Sequence, residues 1–211
     1  MIRFLKGALK GYDPNINDWD KPNTRYFDGK KVVGRPTKGF GDPGSEFYYA
    51  GKLYKPEMWT PEMETIKKQT ELLVYEKLGK IVRFTFCLCG LYKTGDQSIP
   101  HHSDTVPTLD DLVVSISFGA PRVFEWREYK QNIKESTNTS EINTKYVNKK
   151  SDSLYLLEDG DVIIFDGHSQ MKTTHSVPQV IGTEERINLT FRTGLWVKFL
   201  AICYTFTLLV K

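Results

Sequence analysis

The sequence predicts a mainly β protein with one flanking helix, an α+β domain whose strands form a sandwich or jelly roll. Two observations predict this class. After residue 80, most segments alternate apolar and polar side chains with the period of two that a strand requires, and no helical segment separates them. Between two of these segments, the residues Glu158 to Asp161 contain the Asp-Gly pair that favours a hairpin turn.

Composition indicates one globular domain. Hydrophobic residues make up 39% of the 211 residues, a length that one domain can fold around a single core. The net charge is only +3, so charge alone does not identify a nucleic-acid-binding protein. Three cysteines are too few for a disulfide framework, and no apolar signal segment follows Met1. We therefore expect an intracellular protein of the nucleus or cytoplasm that is not secreted.

The part of the chain that precedes the strands contains an extension and a helix. Residues 1–34 are rich in Asn, Asp, Gly and Lys without a periodic pattern, which predicts an irregular N-terminal extension or a partly packed arm. A helix is predicted from Thr60 to Gly79. Thr60 can cap it, Pro61 suits its first position and Gly79 can close it. Its apolar stripe indicates a packing role.

Six strands follow the predicted helix. They are Ile81–Cys89, Leu112–Phe118, Val123–Arg127, Leu154–Leu157, Val162–Phe165 and Arg186–Arg192. The polar residues 130–152 have no core-forming pattern and predict an exposed insertion loop. Residues 195–211 form a mostly apolar tail that is shorter than the roughly 18 to 20 residues of a membrane span. A buried strand or interface segment is favoured there, without firm membrane association.

The last strand carries a polar row opposite an apolar face. The row consists of Arg186, Asn188, Thr190 and Arg192. An ordinary two-faced strand would expose this row to solvent. If the row turned inward, it would form a clamp for an anion, because a guanidinium can grip a carboxylate through two hydrogen bonds. The strand alone favours exposure, and the upstream histidines favour the clamp.

A metal site is predicted at His102-Ser103-Asp104. Residues i and i+2 of an extended segment point the same way, so His102 and Asp104 can bind one metal ion. A second histidine would complete the two-histidine, one-carboxylate set that leaves positions open on non-haem Fe(II). His175 is the better candidate and His168 the reserve. A His-x-Asp motif alone is common by chance, so the prediction depends on its order with the arginine strand.

Several motifs together resemble one family, the AlkB-type Fe(II)- and 2-oxoglutarate-dependent dioxygenases, and particularly its nucleic-acid demethylases. The resemblance runs from about Arg35 to Thr193. The motifs are Cys89-Gly90-Leu91-Tyr92, Pro100–Asp104, Ser115–Phe124, Leu157–Val162, His175–Pro178 and Arg186–Arg192. The resemblance implies a double-stranded β-helix core within a dioxygenase domain at residues 35–194.

The resemblance also implies the cofactors and the reaction. Fe(II) would be held by His102, Asp104 and His175, and 2-oxoglutarate would chelate it through its keto acid end. Arg186, Tyr92 and Asn188 would hold the distal carboxylate, with Arg192 near the metal-bound end. With O2, the enzyme would remove methyl groups oxidatively from N-alkylated bases in DNA or RNA. Formaldehyde, succinate and carbon dioxide would be the products.

The expected partner is methylated nucleic acid, as single-stranded DNA or RNA. Enzymes of this kind hold an extruded base between aromatic rings. Tyr49 is our first choice for stacking, with Tyr48 and Trp59 behind it. Basic residues expected to meet phosphates are Arg35, Lys38 and Arg122. The alternative for each is a core ring or a solvated charge.

Two departures from the family pattern keep other functions open. Asp104 is followed by Thr105-Val106-Pro107, where the family's demethylases commonly have an acidic residue that helps recognise a cationic base. Gly90 stands where an asparagine commonly helps bind 2-oxoglutarate. One alternative is therefore a hydroxylase or demethylase of a protein or small molecule. The other is a catalytically inactive nucleic-acid-binding module.

Overall fold

A computed structural model describes residues 2–22, 25–27, 30–32, 34–49, 52–104, 112–128, 153–165 and 169–194. Its helices are α1 (Pro61–Leu78) and α2 (Ser169–Lys172). Its strands are β1 (Ile2–Leu5), β2 (Arg25–Phe27), β3 (Lys30–Val32), β4 (Thr37–Gly41), β5 (Phe47–Tyr49), β6 (Lys52–Tyr54), β7 (Phe86–Tyr92), β8 (Ile99–His102), β9 (Val113–Gly119), β10 (Arg122–Glu128), β11 (Ser153–Leu157), β12 (Val162–Phe165), β13 (Thr173–Val177) and β14 (Arg186–Arg192).

Two antiparallel sheets form the core, which confirms the predicted mainly β, jelly-roll class. The larger sheet has the order β1-β12-β9-β14-β7-β4, and the smaller has the order β11-β10-β13-β8. Apart from β10 and β11, neighbouring strands in these two sheets are not consecutive along the chain, as in a double-stranded β-helix. The hairpins β2-β3 and β5-β6 lie outside both sheets.

Two apolar clusters lie on opposite faces of the larger sheet. On one face, Met63 and Val74 of α1 pack with Leu189 and Phe191 of β14. The other cluster joins the two sheets, with Phe165 of the larger sheet among its members and the following from the smaller: Phe124, Trp126, Leu157 and Val177. Because side chains alternate along β14, its polar row must face the space between the sheets. The structure therefore places the arginine row inward.

Helix α1 forms where its end signals predicted it. The Thr60 side chain accepts a hydrogen bond from the Met63 backbone N–H at 3.2 Å, and Pro61 opens the helix. Gly79 closes it with a left-handed φ of 65°, a conformation that glycine adopts without steric cost. The helix packs against the larger sheet, so its role is structural.

The N-terminal region resembles the partly packed arm, one of the two alternatives predicted for residues 1–34, more than an irregular extension, and it begins with a strand that was not predicted. Ile2–Leu5 forms the edge strand β1 and pairs with β12, with Ile2 opposite Phe165. Leu9 and Ile16 are buried in the core. Four residues are too few to display a period, and the partner strand lies about 160 positions away in sequence, so local patterns could not reveal it.

The strand predicted at Ile81–Cys89 is also displaced. The observed strand is Phe86–Tyr92, and the Ile81 residue is 92% exposed. Residues before the strand are bound by other groups, since the Phe84 N–H donates to the Glu71 carboxylate and the Thr85 N–H donates to the Arg192 carbonyl. The strand therefore begins later and reaches Tyr92.

Parts of the predicted organisation lie outside the described residues. These are the insertion at 130–152 and the apolar tail at 195–211. Among the helices that the structure does describe, none has the length and apolar character needed to cross a membrane. The domain boundaries at 35 and 194 stay a prediction.

Candidate active site

A pocket opens between the two sheets, and it collects the predicted metal ligands and the polar row of β14. Its lining comprises Arg35, Leu88, Tyr92, Ile99, His102, Asp104, Ser115, Phe124, Phe165, His175, Val177, Arg186, Asn188, Thr190 and Arg192. One end carries the two histidines and the aspartate. The other carries arginines around Tyr92.

His102, Asp104 and His175 meet at the first end. Each offers one ligand atom, and these three atoms lie within 4.8 Å of one another. Nε2 of His102 is 3.5 Å from Oδ1 of Asp104, and Nε2 of His175 is 3.6 Å from Oδ2. Two imidazoles and one carboxylate on one side of an ion leave its other positions open, as non-haem Fe(II) oxygenation requires. The donor set fits Fe(II).

The rings of the two histidines are oriented by their surroundings. Nδ1 of His102 lies 2.8 Å from the Pro100 carbonyl, which can only accept, so Nδ1 carries the proton and Nε2 is free to bind a metal. The His175 ring packs against Phe124 and Phe165, with centroid distances of 5.4 and 5.2 Å. These contacts fix the imidazoles before any ion binds.

The charge states of the ligands suit a cation. Burial, together with the neighbouring His102, lowers the pKa of His175 to about 4. Burial acts to raise the pKa of Asp104, but the Arg192 guanidinium and both histidines hold it well below its usual value. At neutral pH the site therefore offers a neutral His175 imidazole and an ionised carboxylate, the protonation states in which these groups bind metals.

Arg192 anchors the aspartate. Its Nη2 lies 2.8 Å from Oδ2 of Asp104, and its Nη1 donates to the Asp104 carbonyl at 3.1 Å. Both groups are largely buried, so this pair fixes the carboxylate in place. The placement agrees with the predicted position of Arg192 near the metal end.

Arg186 lies at the other end of the pocket and is 1% exposed. Its Nη2 donates to the Ser117 hydroxyl at 2.7 Å, while Nε and Nη1 have no hydrogen-bond partner among the described residues. Burial, together with the charges of Arg35 and Arg122, lowers its pKa to about 10. Buried donors without partners are costly, and a carboxylate would satisfy them. The residues fit a dicarboxylate such as 2-oxoglutarate.

Tyr92 and Asn188 complete the predicted co-substrate residues. Tyr92 is fully buried and lies directly opposite Arg186 in the β7–β14 ladder. The Asn188 amide donates to the Ser115 hydroxyl at 2.8 Å and to the Ile116 carbonyl at 2.9 Å. Protein groups therefore hold the Asn188 nitrogen, and a contact from Asn188 to the co-substrate stays a prediction.

Two serines that support these residues were not predicted. Ser115 and Ser117 of β9 hold Asn188 and Arg186 respectively. The alternation Ser115-Ile116-Ser117 was the available signal, because it places both hydroxyls on one face of a strand.

Arg122 and Trp59 were predicted to contact nucleic acid, but the structure shows both in contacts within the protein. Arg122 is 1% exposed and donates to the carbonyls of Thr94 and Gly95, so it cannot meet a phosphate at the surface. Trp59 stacks on Phe191, on the face of the larger sheet that packs against α1. Both serve packing.

Lys38 is also held by protein groups, and Arg35 lies in the pocket against the Tyr92 ring. Lys38 forms an ion pair with Glu57 at 3.0 Å and donates a hydrogen bond to the Asn17 carbonyl. Its ammonium group, which was expected to contact a phosphate, is therefore already bound within the protein. Arg35 lines the pocket, with its Cζ 5.3 Å from the centroid of the Tyr92 ring.

Three further candidates have no described side chain. Tyr48 and Tyr49 belong to β5, whose backbone is described, but their side chains lie outside the described part of the structure. His168, the reserve ligand, lies outside it altogether. Their predicted roles stay predictions.

Comparison with known proteins agrees with this site. The family model of the 2OG-Fe(II) oxygenase superfamily matches residues 9–192. The human alpha-ketoglutarate-dependent dioxygenase alkB homolog 3 is 33% identical over 138 residues, which are 64% of this chain and 43% of the human protein. The cattle protein of that name is 34% identical over the same coverage. The chain thus matches less than half the length of these relatives.

A solved structure supports the fold. The structure of OsALKBH1 superposes with a TM-score of 0.54 at 19% identity, covering 91% of this chain and 97% of that one. At this identity the similarity concerns the fold alone. The extent of the family match, together with the metal ligands and the arginine pocket, leads to one conclusion: the chain belongs to the 2OG-Fe(II) oxygenase superfamily and is AlkB-like.

Proposed function

We propose that this chain is an Fe(II)- and 2-oxoglutarate-dependent dioxygenase that removes methyl groups oxidatively from N-alkylated bases in DNA or RNA. The observation that carries the proposal is one pocket with His102, Asp104 and His175 at one end and the unsatisfied guanidinium of Arg186 at the other. A cation and a dicarboxylate together would satisfy both ends.

Each residue has a distinct task in this proposal. His102, Asp104 and His175 hold the metal and leave neighbouring coordination positions open. Arg186 and Tyr92 hold the distal carboxylate of 2-oxoglutarate, and Arg192 keeps the Asp104 carboxylate oriented. Bound Fe(II) and 2-oxoglutarate supply, with O2, the oxidation of a methyl C–H to C–OH, forming succinate and carbon dioxide. The hydroxymethyl group then leaves the base nitrogen as formaldehyde.

The substrate class is supported by the resemblance to AlkB-type nucleic-acid demethylases. Single-stranded DNA or RNA is the proposed form, because a base must leave its stack to reach a buried metal. Tyr49, with Tyr48, remains the proposed stacking residue, carried on the β5-β6 hairpin outside the two main sheets. Two buried free cysteines, Cys87 and Cys89, suit the reducing intracellular compartment that this role implies.

A second candidate is the same oxidation on a protein or small molecule. It is favoured by the sequence Thr105-Val106 after Asp104, where neither residue is the acidic group that would help recognise a cationic base. The inactive binding module has less support, since the three metal ligands are present and assembled.

The test is a product assay on defined oligonucleotides. The protein is incubated with Fe(II), 2-oxoglutarate and single-stranded DNA or RNA carrying N1-methyladenine or N3-methylcytosine, and product masses are measured. His102→Ala should abolish methyl loss. His101→Gln is the matched control, because His101 is held by Glu125 and Thr174 on the outer face of the smaller sheet.

The outcomes separate the candidates. Methyl loss that depends on His102 and on 2-oxoglutarate supports the demethylase. Decarboxylation of 2-oxoglutarate without methyl loss moves the search to a protein or small molecule. Absence of decarboxylation in an iron-loaded, folded protein would overturn the oxygenase proposal.

A further inference from the structure

Arg35 is fixed at the rim of the pocket by its backbone. It lies two residues before β4, and the next residue, Pro36, accepts a hydrogen bond from the Leu91 N–H at 2.9 Å. β4 then pairs with β7, with Thr37 opposite Gly90. The Arg35 side chain lines the same pocket as Arg186 and the metal ligands. Its position therefore follows from the edge of the larger sheet.

Gly90 provides the space that the Arg35 side chain occupies. A Cβ atom at position 90 would lie 2.4 Å from Nε of Arg35 and 3.0 Å from its Cδ, distances too short for any side chain to coexist with this arginine conformation. Glycine within a strand weakens it and often marks the close approach of another group. Here the approaching group is a guanidinium. Gly90 and Arg35 thus form a structural pair.

The guanidiniums of Arg35 and Arg186 share the Tyr92 ring. Their Cζ atoms lie 5.3 and 5.0 Å from its centroid, within the range of a cation–π contact. Nε of Arg35 and both Nε and Nη1 of Arg186 are buried without a hydrogen-bond partner among the described residues. Two like charges with unused donors, placed around one ring in the pocket, would be stabilised by an anion bound between them.

We propose that Arg35 is a second carboxylate-binding arginine, which holds the distal carboxylate of 2-oxoglutarate together with Arg186, and that Gly90 is the space that admits it. A carboxylate has two oxygen atoms and about four acceptor sites, enough for two guanidiniums. The inference replaces the expected phosphate contact of Arg35. It rests on the co-substrate part of the proposed function and is independent of the nucleic-acid substrate.

The test compares two keto acids that differ only at the distal end. 2-Oxoglutarate carries a carboxylate where 2-oxopentanoate carries a methyl group, and both chelate a metal through the same keto acid end. Binding of each to the Mn(II)-loaded full chain is measured by isothermal titration calorimetry. The readout is affinity, so it does not depend on turnover.

Arg35→Ala should weaken 2-oxoglutarate binding by about 10-fold to 100-fold, the usual range for a lost charge-assisted hydrogen bond. The same variant should leave 2-oxopentanoate within about twofold of wild type, because that acid gives Arg35 nothing to bind. Lys38→Ala is the matched control, since Lys38 pairs with Glu57 and does not line the pocket. Unchanged 2-oxoglutarate affinity, or equal losses for both acids, would overturn the proposal.

Gly90→Ala tests the pairing while retaining the arginine. The added methyl should displace Arg35 and weaken 2-oxoglutarate selectively, again without loss for 2-oxopentanoate. Because both substitutions remove the same contact, the double variant should bind 2-oxoglutarate no more weakly than Arg35→Ala alone. Fully additive losses would refute the pairing. Failure of the demethylase assay with intact, Arg35-dependent binding would count against the substrate class and leave this inference standing.

Discussion

His102 and His175 are direct partners in the β8–β13 ladder, although 73 positions separate them in the sequence. Their ring centroids are 4.3 Å apart. Asp104 follows His102 by two residues, and all three ligand atoms lie within 4.8 Å. One non-local strand pairing therefore builds the whole metal site, and anything bound by both histidines links β8 to β13.

This relationship predicts that metal binding stabilises the fold. An ion that binds only the native state should add about 2.7 kcal/mol to the unfolding free energy at a free concentration of 100 times its dissociation constant. Thermal unfolding with Mn(II), compared with a chelator, measures the effect. His175→Ala should lose it and His101→Gln should keep it. Equal stabilisation of wild type and His175→Ala would show that the ion binds elsewhere.

Arg192→Ala should lower the affinity for the metal ion, although Arg192 is not itself a ligand. The ion pair with Asp104 at 2.8 Å fixes the carboxylate that binds the metal. Loss of a group that orients a ligand typically reduces metal affinity by about 10-fold to 100-fold. Mn(II) titration without 2-oxoglutarate isolates this effect from any contact to the co-substrate. Arg192→Lys, which keeps the charge, should recover part of the loss, and wild-type affinity in Arg192→Ala would contradict the role.

Ser117→Ala should loosen Arg186 and lower affinity for 2-oxoglutarate. The serine hydroxyl accepts the hydrogen bond from the Arg186 side chain at 2.7 Å. A hydrogen bond to a charged group contributes about 1.5 to 3 kcal/mol, so the dissociation constant should rise by about 10-fold to 100-fold. Calorimetry on the Mn(II)-loaded protein measures it. Mn(II) affinity should be unchanged, and a parallel loss of metal binding would indicate general damage to the fold.

The parts of the fold that could be predicted are those whose signals are local. Thr60, Pro61 and Gly79 mark the ends of α1 within one stretch of sequence. β14 was predicted from its strict alternation. Its burial became clear only in three dimensions, because β7 and β9 cover both of its edges and α1 covers its apolar face, which leaves the arginine row between the two sheets.

The strands that carry the metal ligands were missed because the site itself disturbs their pattern. β8 is Ile-Pro-His-His, and β13 places polar Thr173, Thr174, His175 and Ser176 at buried positions. Proline in β8 is tolerated because this strand is the edge of the smaller sheet. The ligands could be predicted from the order of the motifs. Their strands could not, because polar site residues stand at buried positions where apolar residues would have shown the alternation of a strand.

Arg122 shows why basic residues were harder to predict. It follows Gly119-Ala120-Pro121, a turn that suggests exposure, yet its partners are the carbonyls of Thr94 and Gly95, 28 and 27 positions away. No local pattern distinguishes an arginine that meets solvent from one that closes a distant loop. Arg35 was likewise identified as functional, but the space at Gly90 that determines its direction appears only in three dimensions.

The acid sensitivity of the fold should depend on Asp161. This carboxylate is 4% exposed and accepts hydrogen bonds from the N–H groups of Gly7 and Glu158 and from Lys6, each at 2.8 Å. Burial acts to raise its pKa, but these donors hold it below the usual 3.8. Its contribution to the free energy of unfolding is therefore fully present above the usual pKa of 3.8. It is lost as the pH falls through the lower pKa of the folded state. Asp161→Asn should cost about 1 to 3 kcal/mol at neutral pH, and the difference from wild type should shrink in acid. Urea unfolding at several pH values measures it, with the exposed Glu158→Gln as a control, and a difference that stays constant into acid would contradict the assignment.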